Sequence, residues 1–121
     1  VLNERGLALN GASVLVLGVA YKQDIDDYRE SPALRVIEHL ESRGANVSYY
    51  DPWVSEYTFK DETKQSLPAL NPARVAAADL VMITCMHTNV DYDMVQKHAK
   101  SIFDTKNAMA NVAHRDNIEV L

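Results

Sequence analysis

The chain has 121 residues, of which 47% are hydrophobic and 24% are charged, a composition typical of one globular domain. Its net charge of -5 and its pI near 5.2 argue against a general nucleic-acid binder. No apolar run approaches the roughly 20 residues of a membrane span, and a single cysteine leaves no internal disulfide. We therefore expect neither a nucleic-acid nor a membrane partner, and the lack of disulfides favours the cytoplasm.

The first predicted elements are a strand, a long polar loop, a helix and a second strand. The run Val14–Leu17 is apolar at every position, which is typical of a strand buried on both faces in the middle of a parallel sheet. After Gly18, the loop ends at Ser31, a good N-cap, and Pro32 suits the first position of a helix that ends near Arg43. The segment Asn46–Tyr50 then predicts the second strand, so the three elements form one parallel unit.

The alternation of strands and helices continues to the end of the chain. Between residues 53 and 67 the sequence is polar and aperiodic, with a short edge strand expected near Tyr57–Phe59. The later predictions are a helix over 71–78, a strand over 80–84, a helix over 91–99 and strands over 101–104 and 117–121. This alternation predicts a Rossmann-like, doubly wound, mostly parallel sheet with helices on both faces, a three-layer α/β/α domain.

Three segments follow the predicted apolar strands and should meet at the carboxyl edge of the sheet. They are residues 18–22, 84–87 and 104–107, and they contain Lys22 and Lys106. Lysines and backbone amides at such an edge can hold a diphosphate, because charge-assisted hydrogen bonds to phosphate are strong. A nucleotide site is plausible on this ground, although the two lysines could equally be solvated loop residues.

The residues of the first loop resemble a known family. Residues 18–32 read G-V-A-Y-K-x-D-x-D-D-x-R-E-S-P, and a helix, a Gly-Ala turn and Tyr49-Tyr50-Asp51-Pro52 follow. This pattern closely resembles the C-terminal, nucleotide-sugar-binding domain of the UDP-glucose/GDP-mannose dehydrogenase family. It is most similar to the bacterial UDP-N-acetyl-hexosamine 6-dehydrogenase branch, and the resemblance extends over nearly the whole chain.

The resemblance implies that residues 1–121 form one domain of a larger NAD-dependent enzyme. Residues 1–12 would lead in from a central helical region, and an N-terminal domain would bind most of the NAD. The full enzyme, expected to be a homodimer, would oxidise the C6 alcohol of a UDP-sugar to a carboxylate for polysaccharide biosynthesis. This sequence contains neither the G-x-G-x-x-G fingerprint nor the family's cysteine motif, so we expect no catalytic residue here and no activity from the chain alone.

The resemblance also assigns binding residues. Tyr21 and Lys22 match the family's aromatic-lysine pair that contacts the UDP-sugar. Arg29 matches the arginine that reaches the NAD bound by the N-terminal domain. Lys106 stands where the family usually has an arginine that contacts the nucleotide sugar. Because lysine lacks the planar two-pronged donor of arginine, that contact should be altered here.

Other polar residues suggest weaker alternatives. Four acidic residues of the first loop (Asp24, Asp26, Asp27 and Glu30) could ligate a hard cation, but their spacing matches no calcium loop, and neutralising Arg29 and Lys22 is the better interpretation. Asp51 is interpreted as a loop-capping aspartate before Pro52. Cys85 and His87 suggest a nucleophile or metal pair, but two ligands make no site, and a buried hydrophobic role for Cys85 is favoured.

Two other functions are compatible with parts of the pattern. A phosphoacceptor receiver domain has a similar length and alternation, with Asp26-Asp27, Asp51, Thr84 and Lys106 as its acid pair, acceptor, hydroxyl and lysine. The spacing disfavours it, because the acid pair lies well past the first strand and Asp51 ends the second strand rather than the third. A plain dimerisation module would bind no nucleotide at all.

Overall fold

The computed structural model describes residues 11–20, 27–29, 31–85, 87, 90–104 and 118–120. Within these residues lie seven strands and three helices. The strands are β1 (Ser13–Leu17), β2 (Asn46–Tyr50), β3 (Glu56–Phe59), β4 (Glu62–Gln65), β5 (Leu80–Ile83), β6 (Ile102–Asp104) and β7 (Ile118–Val120), and the helices are α1 (Pro32–Ser42), α2 (Pro72–Ala77) and α3 (Tyr92–His98). The predicted α/β alternation is confirmed, and the bounds of the predicted elements differ from the observed ones by at most one residue.

Five strands form one parallel sheet in the order β2-β1-β5-β6-β7. The chain passes from β1 to β2 on one side and then returns across β1 to β5 on the other side. The connections therefore diverge between β1 and β5, and this is the topological switch point of a doubly wound sheet. Because all five strands run in one direction, the segments that follow β1, β5 and β6 share the carboxyl edge, as predicted.

The two faces of the sheet are covered by different elements. Val14 and Val16 of β1 pack with α1 and with Tyr57 of β3 in one buried cluster. Leu15 and Leu17 point to the other face, where they pack with α2 and α3. All four of these β1 side chains are at most 1% exposed, which confirms the prediction that β1 is buried on both faces. The three-layer α/β/α arrangement follows.

Helix α1 begins as its sequence predicts. The Ser31 hydroxyl accepts a hydrogen bond from the Ala33 amide at 3.2 Å, and Pro32 occupies the first helical position. Ala33, Leu34, Ile37 and Leu40 are buried against the sheet. The chain leaves the helix through Gly44, which has a positive φ of 90°.

The segment between β2 and α2 differs from the prediction. The predicted strand near Tyr57–Phe59 is confirmed as β3, but it pairs with an unpredicted strand, β4, in an antiparallel hairpin that forms a separate two-stranded sheet. The loop residues Lys60 and Asp61 both have positive φ, 51° and 65°, as in a type I′ turn. Such turns normally use asparagine or glycine, so the sequence carries only a weak hairpin signal here.

Candidate functional site

The carboxyl edge beside the switch point is held together by the Asp51 carboxylate. Asp51 follows β2 and is 2% exposed. Its Oδ2 accepts hydrogen bonds from the amides of Val19 and Ala20 at 2.8 and 3.1 Å. Its Oδ1 accepts from the amides of Trp53 and Val54 at 2.8 and 3.2 Å. The loop-capping role predicted for Asp51 is confirmed, and the same side chain also binds the loop after β1.

His87, which follows β5, completes this cluster. It is 0% exposed, and its Nε2 lies 2.9 Å from Oδ2 of Asp51. Burial alone would lower the pKa of His87, but the hydrogen bond to Asp51, a hydrogen bond with Cys85 and the Asp51 charge raise it to about 9. Burial would likewise raise the pKa of Asp51, but His87 and the backbone amides of Val19 and Trp53 hold it below its ordinary value. The two side chains form a buried ion pair at neutral pH.

The loops after β1 and β5 are also in direct backbone contact. The Thr84 amide donates to the Leu17 carbonyl at 3.0 Å, and the Thr84 hydroxyl donates to the Gly18 carbonyl. Gly18 has a φ of 86°, and a Cβ built there would lie 2.6 Å from the Cβ of Cys85. Position 18 requires glycine for two reasons: its backbone is in the left-handed conformation, and the Cys85 backbone packs directly against it.

The far end of the first loop is anchored to the hairpin. The Tyr28 ring lies 5.8 Å from the Tyr57 ring between centroids, at an angle of 51°. The Tyr28 carbonyl accepts a hydrogen bond from the Ser31 amide at 3.0 Å, which joins this contact to the start of α1. The loop that begins at Gly18 is therefore held at both ends, by Asp51 near β1 and by Tyr57 near α1.

Arg29 lies at this far end and is exposed to solvent. Its side chain is 81% exposed, and its Nε and Nη2 atoms donate to the two carboxylate oxygens of Asp27, each at 3.1 Å. The hydrogen bond from Arg29 lowers the pKa of the Asp27 carboxyl. The predicted neutralisation of Arg29 by an acidic loop residue is thus confirmed for Asp27.

Most of the predicted contact residues lie outside the described part of the chain. Tyr21, Lys22 and Lys106 belong to the ranges 21–26 and 105–117, and Asp24, Asp26 and Glu30 are outside it as well. Their binding roles stay predictions. The described residues that adjoin them, Ala20 after β1 and Asp104 at the end of β6, lie at the same carboxyl edge.

The nucleophile or metal interpretation of Cys85 and His87 receives no support from their surroundings. Cys85 is 5% exposed and packs in the core cluster beside α1, as the favoured interpretation expects. His87 makes hydrogen bonds with both Asp51 and Cys85, but His87 is 0% exposed, so the pair is closed to a substrate in this structure. Within the described ranges there is no group of three or more histidine, cysteine or acidic side chains arranged to hold a metal ion.

The receiver hypothesis fails on the environment of Asp51. The order of the five main strands also occurs in receiver-like doubly wound folds, so topology does not discriminate. A phosphoacceptor needs an accessible carboxylate oxygen, whereas both oxygens of Asp51 are buried and hydrogen-bonded. The Thr84 hydroxyl, the second residue of that hypothesis, is bonded to main-chain carbonyls of β1 and its loop.

A cavity of about 450 Å³ lies away from this edge, beside the edge strand β2 and helix α2. Its lining includes Ser13 and Asn46, the first residues of β1 and β2, together with Arg74 and Ala78. The cavity therefore lies toward the amino edge of the sheet, whereas ligands of doubly wound folds bind at the carboxyl edge. Arg29, the predicted contact residue that the structure describes, is not part of its lining.

The Asp51–His87 pair is the feature that sequence reasoning missed. The sequence pattern predicts Asp51 as a loop cap and relates His87 only to Cys85, so it does not connect Asp51 with His87. A signal was present, since an acid directly after one strand and a histidine shortly after another must share the carboxyl edge of a parallel sheet. Without the strand order, their direct contact could not be derived.

Known dehydrogenases of UDP-N-acetyl-mannosamine resemble at least 90% of this chain. The UDP-N-acetyl-D-mannosamine dehydrogenase of Methanococcus maripaludis is 32% identical over 111 residues, which cover 90% of this chain and 26% of that protein. The solved UDP-D-ManNAc dehydrogenase of Pyrococcus horikoshii matches with a TM-score of 0.76 at 27% identity, over 98% of this chain and 27% of its own. The Cap5O UDP-N-acetyl-mannosamine dehydrogenase of Staphylococcus aureus matches with a TM-score of 0.62 at 32% identity, over 93% of this chain and 26% of its own.

The chain thus spans about a quarter of the length of these relatives. A family model described as "UDP-glucose/GDP-mannose dehydrogenase family, UDP binding domain" matches residues 15–111. That range includes the last three residues of β1, the whole first loop, the Asp51–His87 pair and β6. The chain therefore belongs to the UDP-glucose/GDP-mannose dehydrogenase family, in which it corresponds to the UDP binding domain.

Proposed function

We propose that this chain holds the UDP-sugar substrate of an NAD-dependent UDP-sugar 6-dehydrogenase. The observation that carries the proposal is the match of residues 15–111 to the family's UDP binding domain, because this range contains Tyr21, Lys22 and Lys106. The strand order supports it, since the segments that carry these residues follow β1 and β6, on either side of β5 at one edge of the sheet.

The proposed overall reaction would convert the sugar C6 alcohol and one water into a carboxylate, with the release of three protons and the transfer of two hydrides to two NAD⁺. NAD supplies the hydride acceptor and is held mainly by a domain outside this chain. The residues of this chain bind and orient: Lys22 and Lys106 contribute positive charge for the diphosphate, and Tyr21 contributes an aromatic surface. Their work is to fix the nucleotide so that the C6 carbon is presented to the rest of the enzyme.

Arg29 is proposed to face the NAD of the complete enzyme. Its guanidinium is exposed on the loop after β1, so it is accessible to a group carried by another domain. Its pairing with Asp27 is a surface ion pair, which is weak and exchangeable. A pyrophosphate can therefore replace or share that partner at little cost. We propose no catalytic residue in this chain, and the chain alone should show no dehydrogenase activity.

The remaining features of the proposal concern the whole enzyme. We propose that this domain follows NAD-binding and central helical domains in one subunit, that the subunits form a homodimer, and that the enzyme works in the cytoplasm. In the described part of the chain no helix has the length and apolar character to cross a bilayer.

Calorimetric titration with UDP tests the proposal. The chain should bind UDP, and Lys22→Ala should weaken binding about tenfold or more by removing a charge-assisted contact. Lys100→Ala is the matched control, because Lys100 is exposed, carries the same charge and precedes β6 at the opposite edge. Arg29→Ala should also retain UDP affinity, because its proposed partner is NAD.

Two results would contradict the proposal. If the chain bound NAD more tightly than UDP, it would be a cofactor-binding domain instead of a substrate-binding domain. No UDP binding by the folded chain, with a stable dimer in sedimentation, would favour the plain dimerisation module.

A further inference from the structure

The loop proposed to bind the nucleotide leaves β1 through two amides that cannot themselves bind it. The amides of Val19 and Ala20 both donate to Oδ2 of Asp51. Both residues are almost completely buried, at 0% and 2% exposure. Sequence reasoning suggested that backbone amides at this edge hold a diphosphate, but these two are directed at the protein's own carboxylate. Ligand contacts must come from residues further along the loop.

Asp51 connects three separate segments of the carboxyl edge. It receives hydrogen bonds from the loop after β1, from its own loop after β2 at Trp53 and Val54, and from His87 after β5. A carboxylate offers about four lone-pair directions, so five donors leave it fully occupied. The carboxylate therefore fixes the mutual positions of these segments and takes no part in binding a ligand directly.

An ion pair is an unusual device if only stability is required. Bringing two charges out of water is costly, and well-packed apolar residues of similar volume often serve stability as well or better. The buried pair instead fixes the orientation of the backbone segments that bond to it. Each hydrogen bond fixes an angle as well as a distance, and Ala20, the last bonded residue, immediately precedes Tyr21 and Lys22. A change in the backbone orientation at Ala20 would therefore change the orientation of Tyr21 and Lys22, the residues proposed to contact the nucleotide.

We infer that Asp51 and His87 are positioning residues for substrate binding, which orient the loop after β1 so that its side chains meet the nucleotide diphosphate. This inference rests on the proposed function. It predicts that loss of the pair weakens UDP binding by more than the loss of stability explains.

The test compares four variants of the chain by UDP calorimetry, urea unfolding and amide hydrogen exchange. Asp51→Asn removes the charge and one acceptor, and His87→Leu keeps the volume without a donor. His87→Gln keeps an N–H near the position of Nε2 and serves as the conservative rescue. Val75→Ala is the stability control, because Val75 is 0% exposed in α2 on the other face of the sheet.

Asp51→Asn and His87→Leu should weaken UDP binding about tenfold or more, and His87→Gln should stay within about threefold of the parent chain. Exchange of the Val19 and Ala20 amides should accelerate in the first two variants while that of Leu15 stays slow. Val75→Ala should lose stability and keep its UDP affinity.

The outcomes separate the two proposals. If the parent chain does not bind UDP, the proposed function fails and this inference fails with it. If the parent binds and the folded Asp51 and His87 variants bind equally well, only this inference is overturned. It is also overturned if Val75→Ala weakens UDP binding as much as they do at the same loss of stability, because the pair would then be merely structural.

Discussion

Gly18 gives the sharpest test of the packing at the switch point. Gly18→Ala adds one methyl group to a residue with a φ of 86°, which costs an L-residue roughly 1–2 kcal/mol. The added Cβ would also lie 2.6 Å from the Cβ of Cys85 and against its carbonyl oxygen. Forcing a methyl group into a packed site costs about 1–3 kcal/mol more. We expect a loss of about 2–5 kcal/mol, a large share of the roughly 5–15 kcal/mol that stabilises a typical domain.

The chain contains a matched control for the conformational part of this loss. Gly11 has almost the same φ, 85°, but no atom of the described structure lies within 4 Å of a Cβ built there. Gly11→Ala should therefore cost only roughly 1–2 kcal/mol. Urea unfolding followed by circular dichroism gives both values, and their difference isolates the contact between the loops after β1 and β5.

Equal losses in the two glycine variants would refute this reasoning. That result would mean that the Cys85 backbone moves aside at negligible cost, so the loops after β1 and β5 would not be packed rigidly. The inference of a fixed loop direction after β1 would then lose one of its supports. A loss at Gly18 that exceeds the loss at Gly11 by less than about 0.5 kcal/mol would have the same meaning, because additivity is no better than that.

Three further predictions concern single residues. Because the pKa of His87 is raised from 6.5 to about 9 in the folded chain, protonated His87 should stabilise the fold fully below pH 6.5, and this stabilisation should disappear as the pH rises through 9. In urea unfolding, the free energy of unfolding should fall by an amount on the order of 3 kcal/mol over this range. The pH profile of His87→Gln should lack this decline, and parallel profiles would contradict the ion pair. Cys85→Ser should lower the free energy of unfolding by about 1–3 kcal/mol while leaving kcat of the full-length enzyme nearly unchanged, and a collapse of kcat without unfolding would identify Cys85 as a nucleophile. Lys106→Arg should bind the UDP-sugar as tightly as the parent chain or more tightly. Lys106→Ala should weaken binding, and more so at low salt than at high salt, because the contact is largely electrostatic. If calorimetry gave the same affinity for the parent and both variants, Lys106 would lie in solvent.

The main sheet and its helices were predictable because their signals are local. The continuous apolar run of β1 requires burial on both faces, and Val14 and Leu15 indeed pack into opposite clusters. Ser31 and Pro32 define the start of α1 through capping geometry that involves only neighbouring residues. The alternation of strands with helices then implies a parallel sheet, because a crossover helix returns the chain in the same direction. The β3–β4 hairpin was missed because its turn uses Lys60 and Asp61.

The candidate site could be predicted only in part. A resemblance to known sequences was the basis for predicting Tyr21, Lys22, Arg29 and Lys106 as binding residues. The family model that matches the chain is that of the same family. For Arg29 the structure adds an exposed side chain paired with Asp27, while the binding roles of all four residues stay predictions. Physical reasoning on the residues alone reached no further than a phosphate-compatible edge, because residue type and spacing along the chain do not reveal which loops meet.

The sequence by itself determined the fold class and the edge of the sheet at which doubly wound folds bind their ligands, since both follow from local periodicity and from the rule for parallel strands. Only the tertiary structure decided that Asp51 and His87 form a pair and that Gly18 lies against Cys85. Asp51 and His87 are 36 positions apart, and Asp51 reaches Val19 across 32. These contacts exist because β1 lies between β2 and β5, and that neighbourhood results from how the whole chain buries its apolar surface.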